Sequence, residues 1–573
     1  MKRRNTGIFG GAALAVLLAV LSGCTDAGDN DSIEQSAASK IELSAAYSTK
    51  LVEDRSVYKD DQPNSVVDFY ITVSASNKTA EHPMTWTQMN SIMNKAEVTN
   101  ESSMEIIMQE GDEQSPKSGM FGYGAIHANA QISLRGNSSI AARSDQKNYK
   151  VQLFEKAGLW RNQRTINLIK HSYDFSRLRN KISFDLFKNI PDFTSLRTQY
   201  VRLHVKDLTG GVSNYQDYGL YEQIEQPNKA FLRSHGLDPN GHLYKATNFE
   251  FQRSEEALKL KDDPTYDDAK FQSILEVKGN DDHTKLLNML TDLNNLSLDI
   301  DDVVDKYFDR DNFLTWLGIN ILVDNNDTNS QNFFLYSPLN AEKWFFLPWD
   351  YDGAWGYDSF KGAESKTRPP WQHGISNYWG VKLENRFFKK PENVEELKAK
   401  IKDLRKYINT EEATKLIDIY KPIVSQFVSR PPDLSSLRYP YSDWVSELER
   451  MKKLPDENEK KFIEYLERPM PFFMGDPVLK DGKRDFDWDI SYDLQGDDIT
   501  YTFQIAKEPS FAHPILKKEQ ITSNSVTIEE LPQGHYYYNV IVRDSKGNTA
   551  PAFDTFTDVD SNNYFGVKEF YVD

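Results

Sequence analysis

Acidic and amide side chains flank two short apolar stretches in the middle of the chain, and these side-chain types suit divalent-metal binding. Asp327 and Asn332 stand before the first stretch, 333–336 (FFLY), and Asp350 follows the second, 343–349 (KWFFLPW). A connection of six residues joins the stretches, so an antiparallel hairpin is the economical pairing. A hairpin places residues before its first strand beside residues after its second. The sequence therefore predicts a hard-oxygen site for Mg²⁺ or Mn²⁺ at one end of the hairpin.

The spacing Asp327-x-x-x-x-Asn332 matches a protein-kinase catalytic loop, in which the Asp takes the proton of the substrate hydroxyl and the Asn holds a metal. The His-Arg that precedes such an Asp is absent, and the second strand ends in Asp350-Tyr-Asp352-Gly rather than Asp-Phe-Gly. The alternative is a polar loop that only caps and turns the chain. That alternative does not easily explain why both flanks of one hairpin are acidic.

A candidate phosphate-binding region lies upstream, where a Gly/Ser turn between two predicted strands could present backbone N–H groups to an anion. The turn consists of Arg135, Gly136, Asn137, Ser138 and Ser139. On the next strand Lys147 shares a face with Tyr149 and Val151, and Lys150 lies on the other face. An inward Lys147 would contact phosphate, whereas an outward lysine is a solvated edge charge. The chain has no Walker A sequence, so a P-loop fold is disfavoured.

The elements that position these residues change in character along the chain. Residues 66–73, 121–154, 198–206 and 218–226 have the composition of strands, whereas leucine spacing beyond about 280 is helical. A β-rich half followed by a helical half predicts an α+β, two-lobed architecture. The last segment, 486–573, alternates apolar and polar residues between turns, which predicts a small β-sandwich.

Composition bounds the function. The chain has 573 residues, 39% hydrophobic and 12% aromatic, which predicts several folded domains rather than a disordered chain. A net charge of -18 argues against nucleic-acid binding and favours basic partners. One cysteine excludes an intrachain disulfide and any zinc or iron–sulfur cluster built from cysteines.

That cysteine follows a stretch typical of export signals. Three basic residues, an apolar segment over 8–21 and the sequence Leu-Ser-Gly-Cys24 resemble a bacterial lipoprotein signal. A plain secretory signal is the alternative. We expect a signal peptide over 1–23, lipid on Cys24 and a polar tether over 24–45. The protein would then be exported and anchored on the outer face of the bacterial cytoplasmic membrane.

Five segments together resemble the spore coat protein H (CotH) kinase family, in the order that the family has them. They are 134–139 (LRGNSS), 147–151 (KNYKV), Gly219-Leu-Tyr with Glu225, 327–336, and 349–353 (WDYDG). The resemblance implies an atypical protein-kinase-like domain over 46–480, with an N-lobe over about 60–232 and a C-lobe over about 233–480. The sandwich resembles a fibronectin type III-like module.

The resemblance further implies a kinase that uses ATP with Mg²⁺ or Mn²⁺ to phosphorylate Ser or Thr. Asp327 would be the catalytic base, Asn332 and Asp350 would hold the metal, and Asp352 would support them. The residues implied to bind the nucleotide are Arg135, Gly136, Asn137, Ser138, Ser139, Lys147 and Glu225.

Two other functions stay open from the sequence. The kinase-like body could be a non-catalytic scaffold on the cell surface or spore envelope, or the enzyme could be another ATP-dependent transferase. In the kinase interpretation, an acidic protein would attract a basic, Ser-rich protein substrate, and no nucleic acid is expected as a partner.

Overall fold

The computed structural model describes residues 50–99, 102–136, 138–141, 147–357, 360 and 368–573, with only the backbone of Ser138. The predicted signal peptide, Cys24, the tether and Asn137 lie outside the described residues. Within the described ranges, none of the helices combines the length and apolar character needed to cross a bilayer.

The first part of the chain forms a closed barrel of seven strands in the order β1-β2-β3-β4-β5-β7-β6, completed by parallel pairing of β1 with β6. Alternating burial along β3 and β4 directs one face of each strand into an apolar interior. The strands are β1 Val66–Val73, β2 Met104–Gly111, β3 Ala130–Leu134, β4 Tyr149–Leu153, β5 Thr165–Ile169, β6 Thr198–Asp207 and β7 Gln216–Ile224.

Three helices accompany the barrel: α1 Trp86–Ser91, α2 Ser138–Ala141 and α3 Arg179–Phe187. Helix α3 is buried almost all round, and its apolar side chains belong to the large core of the second half of the chain. It therefore joins the barrel to the helical region.

The helical region contains the predicted hairpin. Strands β10 (Phe333–Ser337) and β11 (Phe345–Pro348) pair antiparallel with Phe333 opposite Pro348, which confirms the hairpin. They continue into a sheet of order β11-β10-β8-β9, where β8 is His242–Ala246 and β9 is Leu275–Val277.

Ten helices surround this sheet in the described ranges, and five of them precede the hairpin in the sequence. These are α4 Lys229–Ser234, α5 Asp268–Ile274, α6 Thr284–Asn294, α7 Ile300–Tyr307, α8 Arg310–Leu322, α9 Lys382–Phe387, α10 Pro391–Leu404, α11 Thr410–Val428, α12 Tyr441–Met451 and α13 Leu454–Leu466. Helix α8 is capped by Asp309, whose side chain accepts the N–H of Asn312, and it is buried along most of its length. It thus fixes where the polar loop after it begins.

In the last part of the chain, two larger sheets enclose one apolar core, which is the arrangement of a β-sandwich, and Thr555–Thr557 pairs with Asn563–Phe565 in a separate two-stranded sheet. One sheet has the order β12-β13-β16, and the other has the order β15-β14-β17-β18 with β21 also paired to β17. The strands are β12 Val478–Lys480, β13 Lys483–Asp487, β14 Ile499–Ala506, β15 Leu516–Ile521, β16 Ser525–Glu529, β17 Gly534–Asp544, β18 Thr549–Pro551, β19 Thr555–Thr557, β20 Asn563–Phe565 and β21 Val567–Val572. The core also includes Phe472 and Met474, so it extends ahead of the predicted start at 486.

These elements make the chain a mixed α+β protein, as predicted. The kinase-like lobes and the fibronectin type III-like character of the sandwich stay predictions.

A buried histidine gives the fold a pH dependence. His235 lies between Glu53 and Glu225, with its ring nitrogens 2.7 and 2.9 Å from their carboxylate oxygens. Burial alone would lower the pKa of His235, but the two carboxylates outweigh it and raise the pKa from 6.5 to about 9. The folded state then binds more protons than the unfolded state between pH 6.5 and 9. We expect His235 to contribute on the order of 2–3 kcal/mol below pH 6.5 and to lose this contribution as pH rises through 9.

Denaturant unfolding of the wild type and of His235→Asn at several pH values tests this. The free energy of unfolding of the wild type should fall more steeply over this window than that of the variant. Parallel curves would contradict the assignment.

Candidate active site

A cavity of about 1040 Å³ lies between the barrel and the helical region, and both contribute to its wall. Barrel-side lining residues include Leu134, Arg135, Gly136, Ser139, Ile140, Asn148, Lys150 and Ile169. Lining residues from the helical region include Lys245, Glu276, Lys278, Asp327, Asn332, Trp349, Asp350 and Asp352. Most of the residues that the sequence singled out from opposite halves of the chain therefore face one space.

The polar loop between α8 and β10 holds Asp327 in place. Its carboxylate accepts hydrogen bonds from the side-chain amides of Gln331 at 2.5 Å and Asn332 at 2.8 Å. Upstream, Asp324 has a φ of 54° and accepts two 2.8 Å hydrogen bonds from Arg368. A two-pronged charged contact of this kind fixes geometry as well as energy, so the loop presents a preset carboxylate to the cavity.

The far end of the hairpin brings further carboxylates to the same wall. Asp350 has a φ of 61°, a left-handed conformation that turns the chain directly after β11. Asp350 is exposed to solvent in the cavity, but enclosure by the cleft walls and the neighbouring negative charges of Asp352 and Asp327 raise the pKa of Asp350, although Lys245 and Arg135 oppose the shift. Like charges thus face one another without full compensation.

Five cationic side chains line the cavity: Lys95, Arg135, Lys150, Lys245 and Lys278. Burial and the charges of Lys278 and Arg135 lower the pKa of Lys150. Burial likewise lowers the pKa of Arg135 to about 10, although Asp350 and Asp352 pull it up. Cations that repel one another in a cleft favour a polyanionic ligand.

Comparison with known proteins adds to this geometry. Residues 132–460 match the family described as CotH kinase protein, which is 329 of 573 residues. The chain belongs to the CotH kinase protein family. A stretch of 214 residues is 23% identical to Inner spore coat protein H of Bacillus subtilis (strain 168), covering 37% of this chain and 56% of that protein. The chain thus matches about half the length of this relative.

The structure of this CotH family member places the predicted Gly/Ser turn only in part. Arg135, Gly136 and Ser139 line the cavity. Gly136 has a φ of 95°, and a Cβ there would lie 2.1 Å from Ser139 Oγ, so the turn requires glycine. Asn137 and the Ser138 side chain are outside the described residues.

Lys147 departs from its predicted placement. Its side chain is buried, and Nζ donates to the carbonyl of Ile140 at 2.7 Å. The side chain is thus neither a solvated edge charge nor part of the cavity wall, because it lies beneath α2. Lys150, on the opposite face of β4, lines the cavity instead.

Glu225 also lies away from the cavity wall. It is buried and accepts hydrogen bonds from Arg197 and His235. Side chains alternate along an extended chain, and Ile224 and Gln226 are the residues that line the cavity. The structure therefore places Glu225 in an internal ion-pair cluster, and its role at the nucleotide stays a prediction.

The basic cavity residues of the second half of the chain were not predicted from the sequence. Lys245 lies on β8 and Lys278 directly follows β9, far from any recognised segment. The signal in the sequence was a lysine within an otherwise apolar strand, HLYKA. Such a residue reaches solvent only where the strand borders a cleft.

One wall of the cavity carries oxygen donors suited to the expected divalent metal. The carboxylates of Asp350 and Asp352 and the amide oxygen of Asn332 are hard oxygen donors on one cavity wall, the type that Mg²⁺ and Mn²⁺ prefer. Enclosure in the cleft and the charge of Asp352 raise the pKa of Asp350 despite Lys245 and Arg135, and a bound cation would favour its ionised form. These residues fit a divalent cation.

Proposed function

We propose that the chain is an atypical protein kinase that transfers the γ-phosphoryl group of ATP to Ser or Thr of a protein. The observation that carries the proposal is one cavity in which a preset Asp327 and a pair of carboxylates share the wall with five cationic side chains. Membership of the CotH kinase family supports the same reaction class.

Phosphoryl transfer needs positioning and charge stabilisation more than covalent chemistry. Asp327, held by Gln331 and Asn332, would orient the acceptor hydroxyl and accept its proton. Arg135 and the cavity lysines would hold the phosphate oxygens by charge-assisted hydrogen bonds. Asp350 and Asn332, supported by Asp352, would hold Mg²⁺ or Mn²⁺, which when bound neutralises charge on the phosphates.

The substrate and location are part of the proposal. A net charge of -18 favours a basic, Ser-rich protein substrate. The Bacillus subtilis relative is named as an inner spore coat protein, and the sequence predicts export and a lipid anchor on Cys24. We propose an envelope location, on the cell surface or in the spore.

A surface scaffold is the second candidate function. The scarcity of ATP outside cells favours it, and so does a sandwich domain that could bind a partner. Convergence of Asp327, Asn332 and Asp350 on one cavity argues against it, because a scaffold has no need to retain them together.

The test is incubation of the purified full-length chain with labelled ATP and Mg²⁺ or Mn²⁺, alone and with a basic Ser-rich protein or an acidic one. Label transfer that Asp327→Ala and Asp350→Ala both abolish would support the kinase. A product bearing a nucleotide rather than a phosphate, read by mass, would indicate a nucleotidyl transferase. Neither transfer nor nucleotide binding would favour the scaffold.

Lys245→Ala is expected to raise the KM for ATP roughly 10-fold, because a charge-assisted contact to phosphate is worth about 1.5–3 kcal/mol. If the contact holds substrate and transition state equally, kcat should change much less than KM. Steady-state kinetics with varied ATP measures both.

Lys206→Ala is the matched control for this prediction. Both lysines are half-buried and lie over an aromatic ring: Lys206 is 4.7 Å from the ring centre of Tyr215, and Lys245 is 5.9 Å from that of Trp349. Lys206 does not line the cavity. An unchanged KM in Lys245→Ala, or an equal rise in both variants, would contradict the assignment of Lys245 to phosphate.

A further inference from the structure

The segment that carries Asp350 and Asp352 is tied to the barrel by one buried carboxylate. Glu222 lies on β7, is 1% exposed and does not line the cavity. Its two oxygens accept from two different side chains: Oε1 from Asn180 Nδ2 at 3.1 Å, while Oε2 lies 2.6 Å from His171 Nε2. A buried carboxylate with both oxygens occupied holds each partner in one orientation.

Each partner then reaches the acidic segment from a different side. Asn180, in the first turn of α3, accepts the backbone N–H of Tyr351 at 3.1 Å. His171 turns its other ring nitrogen, Nδ1, towards Asp352 Oδ2 at 3.5 Å. The Tyr351 ring, between the two, packs edge-on against Phe184 and Phe187 of α3. The backbone of the segment, through Asn180, and one of its carboxylates, through His171, are thus both linked to Glu222.

We propose that Glu222 is a positioning residue that sets the metal-binding geometry of Asp350 and Asp352 through Asn180 and His171. The inference deepens the proposed function and depends on it, since it concerns the same cation site.

The segment that carries Asp350 and Asp352 would not hold this arrangement unaided. Asp350 and Asp352 repel each other, and Asp350 occupies a left-handed conformation that is uncommon for residues other than glycine. From the barrel side, a hydrogen bond to the backbone of Tyr351 and the His171 ring beside Asp352 restrain carboxylates that belong to the helical region. Partners that orient ligating carboxylates typically affect metal affinity 10- to 100-fold when they are removed.

The test is titration of the purified full-length chain with Mn²⁺ alone, with free Mn²⁺ followed by electron paramagnetic resonance. His171→Asn removes the ring that faces Asp352, and asparagine tolerates the left-handed backbone of residue 171, whose φ is 51°. Asn180→Asp removes the donor to Glu222 and sets two carboxylates against each other. We expect the Kd for Mn²⁺ to rise 10- to 100-fold in both variants.

His235→Asn is the matched control. His235 is also a buried histidine between two carboxylates, but it lies away from the cavity. His235→Asn should lower stability and leave the Kd for Mn²⁺ unchanged. If His171 had a purely structural role, His171→Asn would behave in the same way. If His171→Asn or Asn180→Asp prevents folding, the isosteric Glu222→Gln tests the same inference with a smaller change.

The outcomes separate the inference from the function on which it depends. Wild-type Mn²⁺ binding that Asp350→Ala abolishes but that His171→Asn, Asn180→Asp and Glu222→Gln leave unchanged overturns the inference alone. A wild-type chain that binds no Mn²⁺ overturns the proposed metal site and the inference with it.

Discussion

Asp350→Asn is expected to reduce metal-dependent phosphoryl transfer by about 10²–10³-fold while making the metal-free chain more stable. Loss of transfer follows because an amide cannot supply the negative charge that holds a cation at the phosphates; removal of one such stabilising group typically has this magnitude. The gain in stability follows because the ionised Asp350 is opposed by its position in the cleft and by Asp352 and Asp327. Asparagine has nearly the same shape and no charge.

The sign of the stability change depends on pH. The pKa of Asp350 is raised from 3.8 to about 7 in the folded state, so between these values folding is weakened as pH rises. Near pH 3 wild type and variant should be equally stable, and the advantage of Asp350→Asn should grow towards pH 7. Because the side chain opens onto solvent in the cavity, we expect no more than about 1 kcal/mol.

Thermal unfolding without metal, at pH 4 and pH 7.5, measures the stability change, and labelled-ATP assays measure the transfer. Asp192→Asn is the control, because Asp192 is exposed and has a φ of 54°, so it reports how much asparagine gains merely from a left-handed backbone. An equal gain in both variants would contradict the charge argument. Full activity in Asp350→Asn would remove Asp350 from the proposed metal site.

The sequence predicted the hairpin because its signals are local. Two apolar stretches separated by a short polar connection have one economical pairing, and β10 and β11 adopt it. The flanking residues Asp327, Asn332 and Asp350 then reach one cavity wall as a geometric consequence. No knowledge of the rest of the chain was needed.

Closure of the barrel could not be predicted in this way. The parallel pairing of β1 with β6 joins segments that are distant in the sequence, and neither strand encodes its partner. The same distance separates the cations of the cavity, since Arg135 and Lys150 come from the barrel while Lys245 and Lys278 come from the helical region. In the sequence, each of these cations looks like an ordinary surface residue, and only the packing of the two regions brings them to one cavity.

Glu225 shows a different limit. Its position beside a recognised Gly-Leu-Tyr segment suggested a role at the nucleotide, but the alternation of an extended chain points it away from the neighbours Ile224 and Gln226. The sequence alone shows that Glu225 lies on the opposite face of the extended chain from Ile224 and Gln226. What was missing was the knowledge of which face borders the cavity.

Asp433→Asn is expected to reduce the free energy of unfolding by about 3–5 kcal/mol, because it leaves a buried charge without its partner. Asp433 Oδ1 lies 2.9 Å from Lys170 Nζ, and both side chains are 1% exposed. Asp433 Oδ2 accepts the backbone N–H of Leu220 at 3.0 Å, so this aspartate of the helical region is bound into the barrel. Gly219 makes room for it, since a Cβ there would lie 2.0 Å from Asp433 Oδ2.

The substitution isolates the charge. The amide oxygen of asparagine can still accept from Leu220, whereas Lys170 loses its counter-ion. Lys170→Met/Asp433→Asn removes both charges and should recover more than half of the lost stability, as measured by denaturant unfolding. A double variant no more stable than Asp433→Asn alone would show that the loss comes from packing.

The pH dependence of Asp433→Asn provides a second check. Burial lowers the pKa of Lys170 to about 8 even though Asp433 pulls it upwards, so without Asp433 the lysine should be neutral in the folded chain at pH 7.5. The unfolded chain, with an ordinary lysine pKa of 10.5, then binds the additional proton, and stability rises with pH. Wild-type Lys170 also loses its proton near pH 8, so the deficit of Asp433→Asn relative to the wild type should shrink as pH rises towards 8 and stay constant from there to pH 10. A deficit that does not change as pH approaches 8 would mean that Lys170 stays charged in the variant and finds another partner, so that the contact between barrel and helical region does not depend on this ion pair.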